Sequence, residues 1–454
     1  MKIIIAGAGR IGGSLAEVLS KEGHDITVVD RDMETISHIS NDIDVICIEG
    51  SATNPDVLRD AGAGEAELLI AATEQDEVNM VCGISARKLG TGHVVARVRD
   101  TDYLGKTEFL REALGISQLF NPEYECAKEI SRILRFPSAA RVDAFSKGSV
   151  EIVEYRVQPG SVLNGLALRD LHKEFGAKVL VSLAERDGKA IIPRGDFVLQ
   201  EGDTLSIMGA SREVRKFFMA AGAYIRPVRN VMIVGGGRTG AYLVRILQES
   251  GIAVSVIEQS RARCEELCEL LPEARIICGD ASRSDVLLEE GIERADGFVA
   301  LNRDDGDNIL TSIYARHCGV GKVVTRINHE HFAEILTGQN LDSIVIPKKI
   351  VVQQIVRYVR AMSNSAGSSM ETLYRLADGK AEALEFKVNE GAKCIGVPLR
   401  ELELKPNVLI AAVIRGGKSI VPDGSMEIQA EDHVVLVAES GKIATINDMM
   451  RGAS

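Results

Sequence analysis

Two glycine-rich stretches contain the residues of this sequence that are best suited to bind a ligand. Each has the spacing Gly-x-Gly-x-x-Gly, follows a short apolar run and precedes a helical pattern. The first glycine permits a tight turn, the second lets a pyrophosphate approach the backbone, and the third lets the helix pack on the strand. The free N–H groups at the helix start favour phosphate. We predict a dinucleotide-binding loop in each stretch, formed by Gly7, Ala8, Gly9, Arg10, Ile11, Gly12, Gly235, Gly236, Gly237, Arg238, Thr239 and Gly240.

An acidic residue ends the strand that follows each glycine loop. Asp30 and Glu258 stand where a carboxylate can accept hydrogen bonds from both hydroxyls of a ribose. A carboxylate there also repels a 2′-phosphate, which favours NAD over NADP, although the neighbouring Arg31 weakens that preference. ATP and ADP carry the same ribose diol, so the acids do not separate these ligands from NAD(H).

Further polar residues follow the third, fourth and fifth predicted strands of each half. The residues after the third strand should lie at the adenine edge of the cleft, and those after the fourth strand should lie beside the phosphates. The two arginines end the fifth strand and could reach phosphate oxygens, or they could form surface salt bridges. These candidates are Gly50, Ser51, Thr73, Glu74, Arg97, Gly279, Asp280, Asn302 and Arg326. The alternative interpretation is that one or both glycine loops are packing turns that hold no ligand.

Other reactive side chains form weaker patterns. His329 and His331 have no evident third ligand, so we interpret them as a solvent-facing pair at a helix start rather than a metal site. Cys264 and Cys268 are four apart on a predicted helix and are interpreted as structural. No Ser/His/Asp or paired-carboxylate arrangement stands out, so we predict no catalytic residues and no bound metal.

The composition excludes several classes of protein. The 454 residues are 45% hydrophobic and 26% charged, which is typical of a globular protein of two to four domains. A net charge of −12, 4% aromatic residues and no Trp argue against nucleic-acid binding. Apolar runs such as 408–414 are too short to span a bilayer, and the start shows no signal peptide, so we expect cytosolic, reduced cysteines.

The sequence is an internal duplication. Residues 1–30 and 229–258 match at a separation of 228 residues, including every glycine of the two loops. The match continues at a separation of 229 residues, where "GSATNPDVLRDAG" (50–62) corresponds to "GDASRSDVLLEEG" (279–291). We therefore expect the same fold twice along the chain.

Each half has a front and a rear part. In the fronts, short apolar strands such as "KIIIAG" and "LLIAAT" alternate with helical stretches, which predicts an α/β fold with a Rossmann-like, doubly wound parallel sheet. The rear parts, which also repeat (191–203 and 420–432), read as small α+β modules. Their hairpins should turn at Asp187-Gly188 and Gly416-Gly417.

Amphipathic helices are predicted near 122–136 and 347–362, each starting at a proline. The small polar stretches 138–149 and 363–369 are interpreted as linkers. The predicted domains are a front with its crossover helix and then a rear module, in each half: 1–137, 141–225, 229–362 and 371–454.

These residues together resemble the TrkA family of potassium-uptake regulators, which are built from tandem RCK (KTN) domains. In the first half the resemblance rests on "GAGRIGGSLAE", "DITVVD", "GSATNPDVLRDAG", "DEVNM" and "VVARVR". In the second half it rests on "GGGRTG", "VIE", "GDASRSDVLLEEG" and "DDGDN". It covers essentially the whole chain.

The resemblance implies a cytoplasmic, peripheral subunit at the inner face of the membrane, which assembles as a homo-oligomeric ring beneath a Trk-type K+-translocating membrane protein. It implies binding of NAD+ or NADH and of ATP or ADP, with ligand residues at the glycine loops, Asp30, Ser51, Thr73, Glu74 and Arg97 and at their second-half equivalents. The second half departs from the first in having Glu258 for Asp30 and Asn302 for Thr73. We expect a non-enzymatic regulator that forms dimers to tetramers.

Two other functions remain open from the sequence. An NAD-dependent dehydrogenase would need an acid or base near the nicotinamide. The rear modules offer no matching pair, since His172 and His433 fall at different places in the two copies. A regulator of a different cation transporter would have the same sequence features, because the membrane partner is a separate chain.

Overall fold

The computed structural model describes most of the chain. The described residues are 1–100, 103, 107–135, 141–145, 149–222, 228–336, 341, 343–364, 370–441, 443 and 445–451.

The first front is a parallel sheet covered by helices on both faces. Its strands are β1 (Lys2–Ala6), β2 (Asp25–Asp30), β3 (Ile46–Glu49), β4 (Leu68–Ala71), β5 (His93–Arg97) and β6 (Gln118–Phe120). Its helices are α1 (Arg10–Lys21), α2 (Met33–Asp42), α3 (Pro55–Asp60), α4 (Asp76–Leu89), α5 (Thr107–Leu114) and α6 (Pro122–Arg135). The strand order is β3-β2-β1-β4-β5-β6. Ile3, Ile4 and Ile5 are all buried, because a central strand covered on both faces needs no polar side.

The first rear module is antiparallel. It contains β7 (Arg141–Phe145), β8 (Val150–Arg156), α7 (Leu171–Phe175), β9 (Val179–Arg186), β10 (Lys189–Ile191), β11 (Thr204–Gly209) and α8 (Ser211–Ala220). The sheet order is β10-β9-β11-β8-β7. Asp187 and Gly188 have φ angles of 52° and 71°, which confirms the predicted hairpin turn.

The interpretation of 138–149 as a linker is wrong for its centre. Residues 141–145 form β7, which pairs antiparallel with β8, and the side chain of Phe145 is fully buried. Strand formation here depends on the neighbouring strand and on burial of Phe145 rather than on the small polar composition. Residues 363 and 364 end a helix, and the other predicted linker residues, 365–369, lie outside the described residues.

The second half repeats this architecture. Its front contains β12 (Asn230–Val234), α9 (Arg238–Glu249), β13 (Ala253–Glu258), α10 (Arg261–Leu270), β14 (Arg275–Cys278), α11 (Ser284–Glu289), β15 (Gly297–Ala300), α12 (Asp305–His317), β16 (Lys322–Arg326), α13 (Glu330–Leu336), β17 (Ile344–Val345) and α14 (Pro347–Asn364). Its rear module contains β18 (Met370–Leu376), β19 (Ala381–Lys387), β20 (Val408–Arg415), β21 (Lys418–Ile420) and β22 (His433–Glu439). The sheet orders are β14-β13-β12-β15-β16-β17 and β18-β19-β22-β20-β21. The α/β tandem duplication predicted from the sequence is confirmed.

The chain divides into two compact units that cut across the duplication. Unit 1 comprises Met1–Ser131, Asn230–Cys318 and Val324–Tyr358. Unit 2 comprises Arg132–Arg229, Gly319–Val323 and Val359–Ser454. The two fronts therefore pack together, and so do the two rear modules. None of the helices in the described part of the chain is both long and apolar enough to cross a membrane.

Both crossover helices begin at the predicted prolines, and each joins the fronts within unit 1. The ring of Tyr124 on α6 lies edge-on to Tyr242 of the second front, with centroids 5.5 Å apart. In return, Tyr358 on α14 lies beside Ser117 and Arg111 of the first front, and burial raises the pKa of its hydroxyl. Each half thus uses the other half to cover its crossover helix.

An ion pair between a buried aspartate and a partly exposed arginine is found in each rear module. The guanidinium of Arg186 binds the Asp203 carboxylate with two hydrogen bonds of 2.7 Å, and Asp203 is 1% exposed. Arg415 and Asp432 make the same pair with bonds of 2.9 and 2.8 Å. The two rear modules therefore share this arginine–aspartate ion pair as well as a strand order.

We expect Asp203→Asn to destabilise unit 2 by about 1.5 kcal/mol at pH 7, because charge-assisted hydrogen bonds are lost. Burial would raise the pKa of Asp203, but the hydrogen bonds from Arg186 and from the Gln200 amide outweigh it, so the pKa lies below its ordinary value of 3.8. A lowered pKa means that the carboxylate stabilises the fold above about pH 4 and loses this effect as the pH falls further. Chemical denaturation at pH 7, 4 and 3 should show the gap between wild type and variant closing with acid. Asp196→Asn, at an exposed position, is the control. An equal loss of stability in this variant would contradict a stabilising role of the Arg186–Asp203 ion pair.

Candidate functional site

The first glycine loop joins β1 to α1 in a turn that only glycine allows at two positions. Gly7 has a φ of 103°, and a Cβ there would lie 2.9 Å from the Thr73 nitrogen. A Cβ on Gly12 would lie 1.8 Å from the carbonyl oxygen of Gly7. These two glycines are therefore required by packing alone, whether or not a ligand binds.

The middle glycine of each loop has a different environment. Gly9 and Gly237 have φ angles of −63° and −64°, which any residue can adopt, and a Cβ at either position would meet nothing within 4 Å. Each glycine is the N-cap of its helix, α1 or α9, and has no side chain with which to cap the helix N–H groups. The fold itself does not need glycine here, and the open space beside free N–H groups fits a phosphate.

The two acids support the glycine loops through equivalent bonds. Asp30 Oδ2 accepts from the Ala8 N–H at 2.5 Å, and Glu258 Oε2 accepts from the Gly236 N–H at 2.8 Å. A Cβ on Gly236 would lie 2.4 Å from Leu267 Cδ1, so an alanine like that of the first loop would need the Leu267 side chain to shift. The longer Glu258 side chain thus makes the same contact as Asp30, and each carboxylate keeps further lone pairs for a ribose.

The predicted adenine edges differ in charge. In the first cleft the Gly50 N–H donates to the Asp30 carbonyl at 2.7 Å, and the Arg31 guanidinium donates to Ser51 Oγ at 2.7 Å. In the second cleft Asp280 stands in place of Ser51, and the N–H of Ser282 donates to its carboxylate at 2.9 Å. That hydrogen bond lowers the pKa of Asp280. The first edge is therefore cationic and the second anionic.

The phosphate end of the first cleft is held by a residue that sequence reasoning missed. Asn79 on α4 is fully buried and links the ends of β4 and β5. Its Oδ1 accepts from the Thr73 N–H at 2.9 Å, and its Nδ2 donates to the carbonyls of Thr73 and Arg97 at 3.1 and 3.0 Å. The available signal was an amide repeated at the same helical position in both halves.

Asn308 makes the same three contacts in the second cleft. It binds the Asn302 N–H at 2.8 Å and the carbonyls of Asn302 and Arg326 at 2.9 and 3.0 Å. The replacement of Thr73 by Asn302 therefore keeps the backbone contacts at this end of the cleft, whereas the bond from the Thr73 hydroxyl to Asn79 Oδ1 at 2.7 Å belongs to the first half. Of the predicted residues here, Glu74 is solvent-exposed, and its backbone carbonyl accepts a hydrogen bond from the Arg99 guanidinium.

Arg97 and Arg326 each carry an unpaired donor. Within the described part of the chain, the Nε of each arginine is buried and has no hydrogen-bond partner, and neither side chain forms an ion pair within 4 Å. Burial, followed by repulsion from Arg99, lowers the pKa of Arg97. Each guanidinium also donates through another nitrogen, from Arg97 to the Thr73 carbonyl at 3.5 Å and from Arg326 to Asn328 Oδ1 at 3.2 Å. The unsatisfied Nε at the carboxyl end of a parallel sheet is a donor that an anionic ligand would complete.

Tyr242 connects the two clefts and was not predicted. It lies on α9, two residues after the second glycine loop, and is 1% exposed. Its hydroxyl donates to the carbonyl of Arg99 at 3.1 Å and accepts from Asn121 Nδ2 at 3.0 Å. Arg99 lies beside the first cleft, where its guanidinium is 3.8 Å from Asp76 and 3.9 Å from Glu123. The corresponding residue of the first half is a serine.

The histidines and cysteines take positions that the sequence only partly predicted. His329 and His331 are mostly solvent-facing, but His329 Nδ1 also lies 2.7 Å from Asp305 Oδ2. Burial would raise the pKa of Asp305, but hydrogen bonds from Asn328 and His329 outweigh it and lower the pKa. Among the described residues, no group of three or more His, Cys, Asp or Glu side chains could hold a metal. Cys264 is buried, whereas Cys268 is exposed, so the two do not share a packed face.

The fold and the paired clefts define a protein with two Rossmann-type domains in tandem. The TrkA-N domain model matches residues 3–122 and 231–347, and the TrkA-C domain model matches residues 152–222 and 383–451. The chain belongs to the TrkA family of potassium uptake proteins, with tandem RCK domains.

Curated relatives match the whole length of the chain. A Trk system potassium uptake protein TrkA homolog of Archaeoglobus fulgidus is 32% identical over 99% of this chain and 100% of its own length. The Trk system potassium uptake protein TrkA of Halomonas elongata is 34% identical over 96% of this chain and 95% of its own length. A solved structure described as the GsuK channel bound to NAD is similar in fold, with a TM-score of 0.63, 19% identity, and coverage of 97% of this chain and 77% of that one.

Proposed function

We propose that this protein is a regulatory subunit that binds adenine nucleotides in its two front clefts and thereby gates a Trk-type K+-translocating membrane protein from the cytoplasmic side. The observation that carries the proposal is repeated in both halves. Each cleft combines an open, uncapped helix start with a buried arginine Nε that has no described partner. Such a site suits a bound phosphate, and family membership supports the link to potassium uptake.

The clefts act by binding rather than by catalysis in this proposal. In the first cleft the glycine loop and Arg97 hold the phosphates, Asp30 holds the ribose, and Ser51 lies at the adenine edge. The equivalent residues of the second cleft play the same parts. NAD(H) is the expected ligand of the first cleft, with ATP or ADP as further ligands. Steady turnover of NAD+ with any metabolite would contradict a purely regulatory role.

Helix α6 gives the two clefts a physical connection. Glu123 at its start lies 3.9 Å from the Arg99 guanidinium beside the first cleft. Burial raises the pKa of Cys126, further along α6, to about 12, and the charge of Arg326 in the second cleft partly opposes this rise. Because α6 faces both clefts, a ligand that moves one end of this helix changes the surroundings of the other cleft.

Tyr242→Phe should weaken this connection. The hydroxyl is lost, the ring stays, and the Asn121 amide and Arg99 carbonyl each lose a partner, at a cost of about 1 kcal/mol in stability. We expect a smaller effect of one bound nucleotide on the affinity for the second. Two-ligand calorimetry on wild type and variant measures this coupling. Unchanged stability and unchanged coupling would show that the hydroxyl contact has no such role.

Assembly of several chains is part of the proposal. Val81 on α4 and Leu310 on α12 occupy the same position in the two fronts, and their exposed fractions are 45% and 68%. Ile313, one turn further on α12, is 44% exposed. Exposed apolar surfaces of this kind favour association, and closed symmetry is the usual outcome for identical chains. A second copy of the chain is therefore the proposed partner for these helices.

Light scattering at micromolar concentration tests the assembly and its response to ligands. We expect a dimer or tetramer whose scattering profile changes when NADH or ATP is added. Leu310→Glu should shift the assembly toward smaller species without changing the fold, because the side chain is already exposed. A strict monomer whose profile ignores every adenine nucleotide would contradict both the assembly and the gating mechanism.

A further inference from the structure

The adenine edge of the second cleft carries a pair of thiols. Cys264 lies in the first turn of α10, is 6% exposed, and donates from its Sγ to the Glu258 carbonyl at 3.3 Å. Cys278 is the last residue of β14 and is paired with Glu258 across the parallel sheet. The two cysteines therefore meet at the same residue from two different elements. The Glu258 carbonyl also accepts from the Gly279 N–H at 3.0 Å, so the Cys264 thiol and the residue next to Cys278 share one acceptor.

This thiol pair is specific to the second half. The positions equivalent to Cys264 and Cys278 in the first half are Ile36 and Glu49. The first cleft thus has the same backbone without the pair of thiols, since its β3 carries the single cysteine Cys47, and it serves as an internal control for disulfide formation within a cleft.

We propose that Cys264 and Cys278 form an oxidisable dithiol, which reacts with low-molecular-weight disulfides of the glutathione class to close a disulfide bond and weaken nucleotide binding in the second cleft. The consequence for binding rests on the function proposed above, whereas the chemistry of the two thiols does not.

The reaction proceeds by two thiol exchanges. Cys278 is exposed, so its thiolate attacks one sulfur of the small disulfide, forms a mixed disulfide and releases one small thiolate. Cys264 then loses its proton and attacks the Cys278 sulfur, which releases the second small thiolate. The released thiolates take up the two protons. The protein loses two electrons and the small disulfide gains them, so two protein thiols become one disulfide and two small thiols form.

Exposure determines the order of the two steps. Burial, together with the neighbouring Cys278 thiol, raises the pKa of Cys264 to about 11, so this thiol is a poor first nucleophile. Cys268 is a poor alternative disulfide partner for Cys264. Residues four apart on a helix have Cβ atoms about 5–6 Å apart. A disulfide needs Cβ atoms about 3.5–4.5 Å apart.

Closing the disulfide would alter the groups that hold the glycine loop. The Cys264 Sγ would leave the Glu258 carbonyl, and the start of α10 would be drawn toward the end of β14. In the same helix, the Nε of Arg263 donates to the Gly236 carbonyl at 2.9 Å, and Leu267 packs behind Gly236. Asp280 lies two residues beyond Cys278. Movement of α10 thus displaces the loop and the ribose carboxylate together.

The test uses full-length protein treated with oxidised glutathione and then with excess reductant. Peptide mass mapping should find a Cys264–Cys278 disulfide, with two of the eight thiols lost and recovered on reduction. Calorimetry on a Gly9→Val background, which leaves only the second cleft, should show at least a tenfold lower nucleotide affinity after oxidation. The exposed Cys278→Ser should abolish both changes, and the exposed Cys268→Ser should abolish neither.

Three outcomes decide between the two proposals. A disulfide at a different pair, or none at all, overturns the dithiol. A Cys264–Cys278 disulfide with unchanged nucleotide affinity overturns its effect on the cleft. If the reduced protein binds nothing in the second cleft, the proposed function of that cleft fails and with it the effect on binding, while the mass mapping still decides whether the dithiol exists.

Discussion

Gly9→Val should lower the nucleotide affinity of the first cleft by more than about 100-fold, or about 2.7 kcal/mol, while the fold survives. The branched side chain would occupy the space in which the backbone has to meet a pyrophosphate. The structure makes this a clean test. A Cβ at Gly9 meets nothing within 4 Å and the backbone angle suits any residue, so the variant has no packing reason to unfold. Calorimetric titration with NADH, together with circular dichroism, measures binding and folding separately.

Gly237→Val is the matched variant of the second cleft, and it should remove binding there alone. Gly391→Val provides the control, since a Cβ at Gly391 also meets nothing within 4 Å and the residue lies in unit 2, away from both clefts. If Gly9→Val and Gly237→Val both leave the ligand stoichiometry unchanged, the glycine loops are packing turns and no nucleotide site.

Asp30→Ala should reduce NAD(H) affinity by about 1–3 kcal/mol, because charge-assisted hydrogen bonds to the ribose are lost. Part of the effect should come from the loop itself, since Asp30 Oδ2 also holds the Ala8 N–H at 2.5 Å. Asp30→Asn separates the two contributions, because an amide oxygen can still accept from Ala8 without the charge. We expect it to bind with intermediate affinity. Wild-type affinity in Asp30→Ala with an intact fold would remove this residue from the site.

Much of the fold follows from the sequence because its signals are local and occur twice. The glycine spacing, the apolar strands and the prolines that begin α6 and α14 each depend on a few adjacent residues. Because the sequence is duplicated, each of these patterns is found at equivalent positions in both halves. The one wrong assignment, the linker over β7, arose because that strand depends on pairing with β8 rather than on its own composition.

The connections within the site could not be read in the same way. Asn79 looks like an ordinary polar residue of an amphipathic helix, and only burial between two strand ends gives it its role. Tyr242 contacts Arg99, which lies 143 residues earlier in the chain. No periodicity or spacing reports a contact at that separation. The packing of one front on the other has to be known first.

Calorimetric titration of NAD+, NADH, ATP and ADP into wild-type protein, Gly9→Val and Gly237→Val tests the central claim most directly, with the number of sites counted per chain. We predict that wild type binds adenine nucleotides at two sites per chain, and that each valine variant loses one site and keeps the other. The account would be contradicted if no adenine nucleotide binds, or if neither variant changes the number of sites.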